Sequence, residues 1–217
     1  MLATDRDVSD SLSPGDGSLY ASDRASPVAG SNGTTLYFRG RQITEALIAD
    51  LRARHGLGAA TDVVVGGCSA GGAHVVTHLD RVRSLLPAEA KVAGFSDSGF
   101  PLWSGARRDH SYTFYLAADG HNASWMLSQR CLADNRGDPR QCFTPENLAL
   151  HTATPMFLFQ SEYDLANLRD PDMCDPSCES HPPCVNAVGA NMTRVVKVRQ
   201  RPVFSPFFVF LGISAEV

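Results

Sequence analysis

The stretch Asp62-Val63-Val64-Val65-Gly66-Gly67-Cys68-Ser69-Ala70-Gly71-Gly72-Ala73-His74-Val75-Val76 joins a β-branched run to an amphipathic segment through a turn of small residues. Its centre is a Gly-x-Ser-x-Gly motif, in which small flanking residues let the backbone fold sharply and leave the serine hydroxyl exposed above the edge of a sheet. The pentapeptide alone is equally typical of a glycine-rich loop. A strand before it and a helix after it are the context that the motif requires, so Ser69 is predicted to be a nucleophile on a strand-to-helix elbow.

Apolar patterns on either side of this turn predict the rest of the fold. Ile43 to Leu51 has apolar residues at helical intervals with Gly56 as a natural end, and a second apolar stripe runs from the turn to Pro87. Strands are predicted at 62–66, 91–96 and 155–160. The last strand is almost wholly apolar, which is typical of a parallel strand buried on both faces. We therefore predict an α/β class, with a parallel sheet flanked by helices.

Longer strings make the pattern more specific than its five central residues. They are Phe38-Arg39-Gly40, Gly66 to Gly72, His78-Leu79-Asp80-Arg81, Asp97-Ser98-Gly99-Phe100, Cys131, Cys142-Phe143 and Thr154 to Asp164. Together these strings resemble the pectin acetylesterase / Notum family of secreted carboxylesterases, between Asp16 and Leu168 and little after Cys184. The resemblance implies an α/β-hydrolase-like fold and the hydrolysis of a carboxylic ester.

A serine hydroxyl becomes a good nucleophile when a base removes its proton and a carboxylate orients that base. In this fold the chain order is serine, acid, histidine. Asp164 follows the predicted strand at 155–160 and matches the acid position of the family, so it is the predicted acid. The N–H of Ala70, at the start of a helix, is the predicted oxyanion donor. Asp97 resembles a family turn residue near the pocket, with a structural or substrate-proximal role.

The base is less well defined. Of the seven histidines, only His181 follows Asp164, and its place between two cysteines is more typical of a loop residue than of a base. His74 and His78 have a spacing that could bind a metal, but no third ligand is evident, so they are interpreted as the polar edge of a packed helix. No metal and no cofactor is predicted.

The resemblance also implies two segments that this sequence does not match. Related enzymes have a Gly-Gly-Gly-Trp-like loop before the matched part and a Cys/His-containing loop, with the catalytic histidine, after it. We therefore expect an incomplete catalytic site and a chain inactive as given, either because the gene model is incomplete or because the protein is a short, inactive relative. Extending the reading frame on both sides would distinguish the two.

Size and charge limit the classes of function. The 217 residues, 43% of them hydrophobic, suit one domain with a substantial core. We predict an irregular lead-in at 1–33, an α/β-hydrolase-like domain at 34–184 and an uncertain segment at 185–217. The net charge of −4 argues against nucleic acid and anionic membranes as partners. The apolar stretch Phe204 to Ile213 is interrupted by proline and too short for a membrane span.

Six cysteines predict disulfides formed in an oxidising compartment. By resemblance, Cys131 pairs with Cys142. A second group comprises Cys174, Cys178 and Cys184, of which one is expected to be left over. Zinc is a weaker interpretation of this group because no Cys-x-x-Cys pair occurs. Cys68 is expected to be a reduced, mostly buried thiol on the packed elbow.

Three Asn-x-Ser/Thr sequons lie in turn-like sequence, and their asparagines are predicted glycosylation sites: Asn32, Asn122 and Asn191. Together with the cysteines they favour a secreted protein, although Met1 to Val8 does not have the apolar core of a signal peptide.

The predicted function is removal of acetyl groups from a pectin-like polysaccharide by a monomeric serine esterase. Two alternatives stay open. A Notum-like protein lipid deacylase would need a long apolar pocket, which Phe100 to Trp103 and Phe114-Tyr115 could line. A secreted glycan-binding relative would keep the pocket without turnover.

Overall fold

A computed structural model describes residues 2–4, 23, 27–29, 33, 35–37, 39–99, 127–138, 141–142, 144–165, 168 and 178–199. The elements within these ranges are β1 (Leu2–Thr4), β2 (Val28–Ala29), β3 (Thr35–Leu36), α1 (Gly40–Arg54), β4 (Asp62–Cys68), α2 (Ala70–Leu85), β5 (Lys91–Asp97), α3 (Gln129–Asp134), α4 (Pro145–His151), β6 (Met156–Phe159) and α5 (Pro182–Arg199). Short 3-10 turns cover Leu57–Ala59 and Cys178–Ser180.

The central sheet has the strand order β1-β4-β5-β6. Strands β4, β5 and β6 are parallel, which confirms the three predicted strands, and β1 pairs with β4 in the antiparallel sense. The register places Cys68, Asp97 and Phe159 in one row across the three parallel strands. Because these residues are the last of their strands, the carboxyl ends of β4, β5 and β6 lie level at one edge of the sheet.

The core lies between this sheet and the two helices α1 and α2. Val63 and Val65 of β4 point into it, as do Ile48 of α1 and Leu79 of α2. A side chain at Gly94 of β5 would place its Cβ 2.5 Å from Leu79 Cδ2. Glycine at this position therefore allows α2 to pack directly against the sheet.

On the opposite face of the sheet several of the described side chains are exposed, which corrects the expectation that β6 is buried on both faces. Val64, Phe95 and Phe159 are 45%, 39% and 45% exposed. Because alternate residues of a strand point to opposite faces, all three lie on the side away from α2. The rings of Phe95 and Phe157 stack on this side, with centroids 5.8 Å apart.

The sequence patterns missed strands β1, β2 and β3 and helix α5. Strand β1 lies in the segment 1–33, which was expected to be irregular, because three residues can join a sheet edge without any apolar periodicity. Helix α5 crosses the predicted boundary at 184, and its Val185 and Val188 pack against Leu168 and Cys178. Its signal was a proline at the first helical position and apolar residues three or four apart, which an internal glycine weakened.

Two disulfides occur among the described residues. Cys131–Cys142 confirms the predicted pair, with Cα atoms 5.8 Å apart, and joins the first turn of α3 to the segment before α4. Cys178–Cys184 is the second. Cys174 lies outside the described residues, so the expectation of one unpaired cysteine in this group stays a prediction.

The His-x-Asp-Arg string has an architectural role. Asp80 on α2 accepts hydrogen bonds from the backbone N–H groups of Ala153 and Thr154, at 2.8 and 2.7 Å, and so holds the chain just before β6. Arg81 donates to Glu45 of α1 at 2.6 Å, and this hydrogen bond lowers the pKa of Glu45. One pair of neighbouring charges thus ties α2 both to α1 and to the entry of β6. None of the described helices has the length and apolar character to cross a membrane.

Candidate active site

Ser69 lies on the turn between β4 and α2, as predicted. Its backbone has φ 54° and ψ −122°, a conformation that residues with a side chain rarely adopt. Such backbone strain occurs mainly where function requires it. The serine is exposed at the carboxyl edge of the sheet. This is the geometry of a nucleophile elbow.

Two glycines around Ser69 are required by steric contact. A Cβ at Gly67 would lie 2.3 Å from the carbonyl oxygen of Gly71, and one at Gly72 would lie 2.8 Å from the carbonyl oxygen of Asp97. The spacing of the motif therefore reflects how tightly the turn folds onto its helix and onto the next strand.

The backbone N–H of Ser69 donates to the carbonyl oxygen of Asp97 at 2.8 Å. An oxyanion must therefore use the next N–H, that of Ala70, which is the first residue of α2. The first N–H groups of a helix have no intrahelical acceptor, and the helix dipole makes this end positive. The location of Ala70 is consistent with its predicted role.

The turn after β5 packs against the elbow. Ser98 also has a positive φ, 51°, and its N–H donates to the carbonyl oxygen of Phe159 at 2.7 Å. The Ser98 hydroxyl donates to Asp97 Oδ1 at 2.8 Å. A Cβ at Gly99 would lie 2.2 Å from the backbone of Gly72. These contacts agree with a structural role for Asp97, which was one of its two expected roles.

Asp164 lies in the loop after β6. Its carboxylate Oδ2 accepts a hydrogen bond from Gln160 Nε2 at 2.7 Å, and its backbone carbonyl accepts one from Leu168 at 3.0 Å. Strand β6 is two positions from β4, which corresponds to about 10 Å at the usual strand spacing. The sheet order thus brings the Asp164 loop and Ser69 to the same edge, as a serine and its acid require.

His181 precedes α5 and is exposed. Its backbone bonds to Cys178 and Cys184, and no hydrogen bond joins it to Ser69 or Asp164 in the described part of the chain. Its role as base stays a prediction. Among the described side chains, a hydrogen bond of 3.1 Å joins His151 Nε2, at the end of α4, to Asp134 Oδ2, at the end of α3.

The interpretation of His74 and His78 as a polar edge is wrong. His78 is 1% exposed, and its ring centroid lies 4.3 Å from that of His74. His78 is buried on a helix that packs both on the sheet and against α4, whereas His74 is half-buried. Burial lowers the pKa of His74 to about 4, and burial together with the neighbouring His74 lowers the pKa of His78 well below its ordinary value.

This pair predicts a loss of stability in weak acid. Well above pH 6.5 both rings are neutral in the folded and the unfolded states. Below pH 6.5 the unfolded chain binds protons at these histidines and the folded chain does not, so the free energy of unfolding falls. Each histidine should therefore cost about 1.4 kcal/mol of unfolding free energy per pH unit between pH 6.5 and its folded-state pKa. Urea unfolding at pH 7.5, 6.5, 5.5 and 4.5 measures this loss. His78→Gln should reduce the slope by half, and an unaltered slope in that variant would contradict the prediction.

Three remaining expectations concern the surroundings. Cys68 is a free thiol, but it is exposed and not buried, because as the last residue of β4 it points to the open face. Asn191 lies inside α5 and not in a turn, and its Oδ1 accepts from Arg194 at 2.6 Å. Asn32, Asn122, Phe100 to Trp103 and Phe114-Tyr115 lie outside the described residues. Among the residues that are described, no three His, Cys, Asp or Glu side chains are grouped as a metal site.

A mainly parallel sheet with an exposed serine on a strained strand-to-helix turn is typical of the α/β-hydrolase fold. The Pectinacetylesterase family model matches residues 12–197, and the chain therefore belongs to the pectin acetylesterase family.

Relatives and solved structures agree with this assignment. Pectin acetylesterase 5 of Arabidopsis thaliana is 32% identical over 152 residues, covering 67% of this chain and 35% of the relative. Palmitoleoyl-protein carboxylesterase NOTUM of Drosophila melanogaster is 29% identical over 161 residues, covering 69% of this chain and 23% of the relative. The chain thus spans about a third or less of the length of these two proteins. The structure of the Wnt deacylase Notum from Drosophila superposes with a TM-score of 0.58 at 22% identity, over 83% of this chain and 53% of that one, and shows the same fold.

Proposed function

We propose that this protein is a carboxylic ester hydrolase that removes acetyl groups from a pectin-like polysaccharide. The observation that carries the proposal is the exposed Ser69 on its strained elbow, at the same sheet edge as the Asp164 loop. Family membership supports the ester hydrolase class, and the relatives named pectin acetylesterases support the substrate.

In the proposed reaction, Ser69 Oγ attacks the ester carbonyl carbon and transfers its proton to an imidazole oriented by Asp164. The carbonyl oxygen becomes an oxyanion, to which the N–H of Ala70 donates. Collapse breaks the bond to the sugar oxygen, which takes the proton from the imidazolium and leaves as a hydroxyl, so that Ser69 is left acetylated. Water then attacks this acyl group by the same steps and releases acetate. His181 is the candidate base because it follows Asp164 in the chain.

The setting of the enzyme is part of the proposal. Two disulfides among the described residues favour an oxidising compartment, and hence a secreted protein. The substrate partner would be an acylated polysaccharide met outside the cell by a monomer, with glycosylation at the predicted sequons. The net charge of −4 gives no basic character for binding nucleic acid.

A comparison of acyl chain lengths tests the proposed function. In the protein expressed from the longest reading frame that contains this sequence, acetate release from acetylated pectin should exceed hydrolysis of a long-chain p-nitrophenyl ester by at least about tenfold in kcat/KM, since discrimination of this size needs only about 1.4 kcal/mol. Activity on the long-chain ester alone would favour a lipid deacylase. Activity on neither, with the pectin still bound, would favour the glycan-binding alternative and remove the esterase.

A further inference from the structure

The loop that carries Asp164 is held in place from two sides. On one side it continues from β6, and on the other it packs against α5. A Cβ at Gly189 of α5 would lie 2.6 Å from the Tyr163 ring, so glycine lets this ring rest on the helix backbone. The Thr193 hydroxyl of α5 bonds to the Glu162 carboxylate. The loop backbone is thus fixed by contacts that do not involve the Asp164 side chain.

Gln160 makes a contact with the Asp164 side chain itself, which the contacts between the loop and α5 do not provide. It is the first residue after β6, and its amide Nε2 donates to Asp164 Oδ2 at 2.7 Å. A hydrogen bond to an ionised carboxylate is short and about twice as strong as one between neutral groups. Because Gln160 directly follows a strand, its backbone is held by the sheet. Its amide therefore holds the Asp164 carboxylate at a fixed position near the carboxyl edge of the sheet.

The same edge connects Gln160 to the nucleophile. The carbonyl oxygen of Phe159, next to Gln160, accepts the N–H of Ser98, and the carbonyl oxygen of Asp97 accepts the N–H of Ser69. A shift of the end of β6 would therefore also shift the turn after β5 and, through it, the backbone of Ser69. The three strand ends form one hydrogen-bonded frame that holds both Ser69 and the Asp164 loop.

We infer that Gln160 is a positioning residue, which orients the Asp164 carboxylate toward the catalytic base. The inference rests on the proposed function, because it takes Asp164 as the acid of a serine esterase. In this role the amide acts through Asp164. Its loss should lower kcat and leave KM nearly unchanged, since an acid that orients the base less well weakens only the transition state.

The test uses p-nitrophenyl acetate and the protein from the longest reading frame that contains this sequence. Gln160→Leu keeps the size of the side chain and removes the donor; kcat should fall about 10- to 100-fold with KM within about twofold. The matched control is Gln141→Leu, because Gln141 Nε2 also donates to an aspartate, Asp138, at 3.1 Å in another part of the fold. This control should retain wild-type kcat. Thermal unfolding of both variants establishes that each is folded.

Two further variants separate positioning from simple support of the fold. In an Asp164→Asn background, Gln160→Leu should cost nothing more, because the two residues act as one unit. Gln160→Glu places a second carboxyl group beside Asp164, so the pair shares a proton and the acid limb of the kcat profile moves to higher pH. An equal loss in both backgrounds, or an unshifted profile, would overturn the inference. If the wild-type protein has no Ser69-dependent turnover, both this inference and the proposed function fail. That outcome is distinguishable because the wild type and every variant are then equally inactive.

Discussion

In the protein from the longest reading frame that contains this sequence, Ser69→Ala lowers esterase turnover by about 10⁴-fold or more, because the acyl group then has no oxygen on the elbow to which it can transfer. The fold should be unaffected, since Ser69 is exposed and its side chain caps no helix. The measurement is acetate release from acetylated pectin, with labelling by an activated phosphonate as a direct assay of the nucleophile. Both signals should be lost together.

Ser98→Ala is the matched control for this variant. Ser98 is also an exposed serine with positive φ, and it ends the neighbouring strand at the same sheet edge. Its side chain bonds only to Asp97 among the hydrogen bonds described above, so turnover should change by less than about tenfold. Phosphonate labelling that persists in Ser69→Ala, or turnover lost in Ser98→Ala alone, would show that the nucleophile is elsewhere.

The phosphonate also tests the base in the 217-residue chain. The incomplete catalytic site expected from the sequence predicts that Ser69 stays unlabelled there. Rapid labelling of Ser69 would contradict that expectation and show that a base is present. Loss of this labelling in His181→Ala would then identify His181 as that base, the one histidine in the chain order of a serine, acid and histidine triad.

Gly99→Ala should prevent stable folding. The added methyl carbon would lie 2.2 Å from the carbonyl carbon of Gly72 and 2.3 Å from the backbone nitrogen of Ala73, and neither backbone group can move without disrupting α2. Overpacking in a core typically costs about 1–3 kcal/mol, and a clash with the backbone of Gly72 and Ala73 should exceed the upper end of that range. The measurement is the urea midpoint of unfolding, or the yield of folded protein where no transition is seen.

Gly71→Ala is the control for Gly99→Ala. Gly71 is in the first turn of α2, and a Cβ there would have no heavy atom within 4 Å. Alanine should stabilise the helix by about 0.5–1 kcal/mol relative to glycine. A Gly99→Ala variant as stable as Gly71→Ala would mean that the β5 turn does not pack on the elbow, and the frame that joins Ser69 to the Asp164 loop would be in doubt.

Local sequence was enough to predict the elbow. A β-branched run, a turn of small residues and an amphipathic helix specify their own dihedral angles, because the steric limits on the turn and the apolar period of the flanking elements act within a few residues. The three parallel strands were predicted from their apolar runs. The Cys131–Cys142 pair was predicted differently, from the resemblance of both cysteines to paired family positions.

The errors share a different physical cause. His74 and His78 have the spacing of a polar helix edge, and only the packed structure shows that His78 is buried and His74 half-buried. Phe159 lies in an apolar run that fits a doubly covered strand, yet its face of the sheet is exposed. A side chain is buried when another element covers it. The period of a sequence shows which residues share a face, but it does not show what packs against that face.

The sequence by itself determined where the strand-to-helix turn at Ser69 lies and which strands surround it, since these follow from dihedral limits and periodicity along the chain. Its longer motif strings also resembled the family to which the chain belongs. Only the tertiary structure decided what holds the site together. Asp80 reaches Thr154 across 74 residues, and the Ser69 N–H reaches the carbonyl of Asp97. Such bonds depend on the order and register of strands, which bring distant residues to one edge of the sheet, and no local pattern specifies that order.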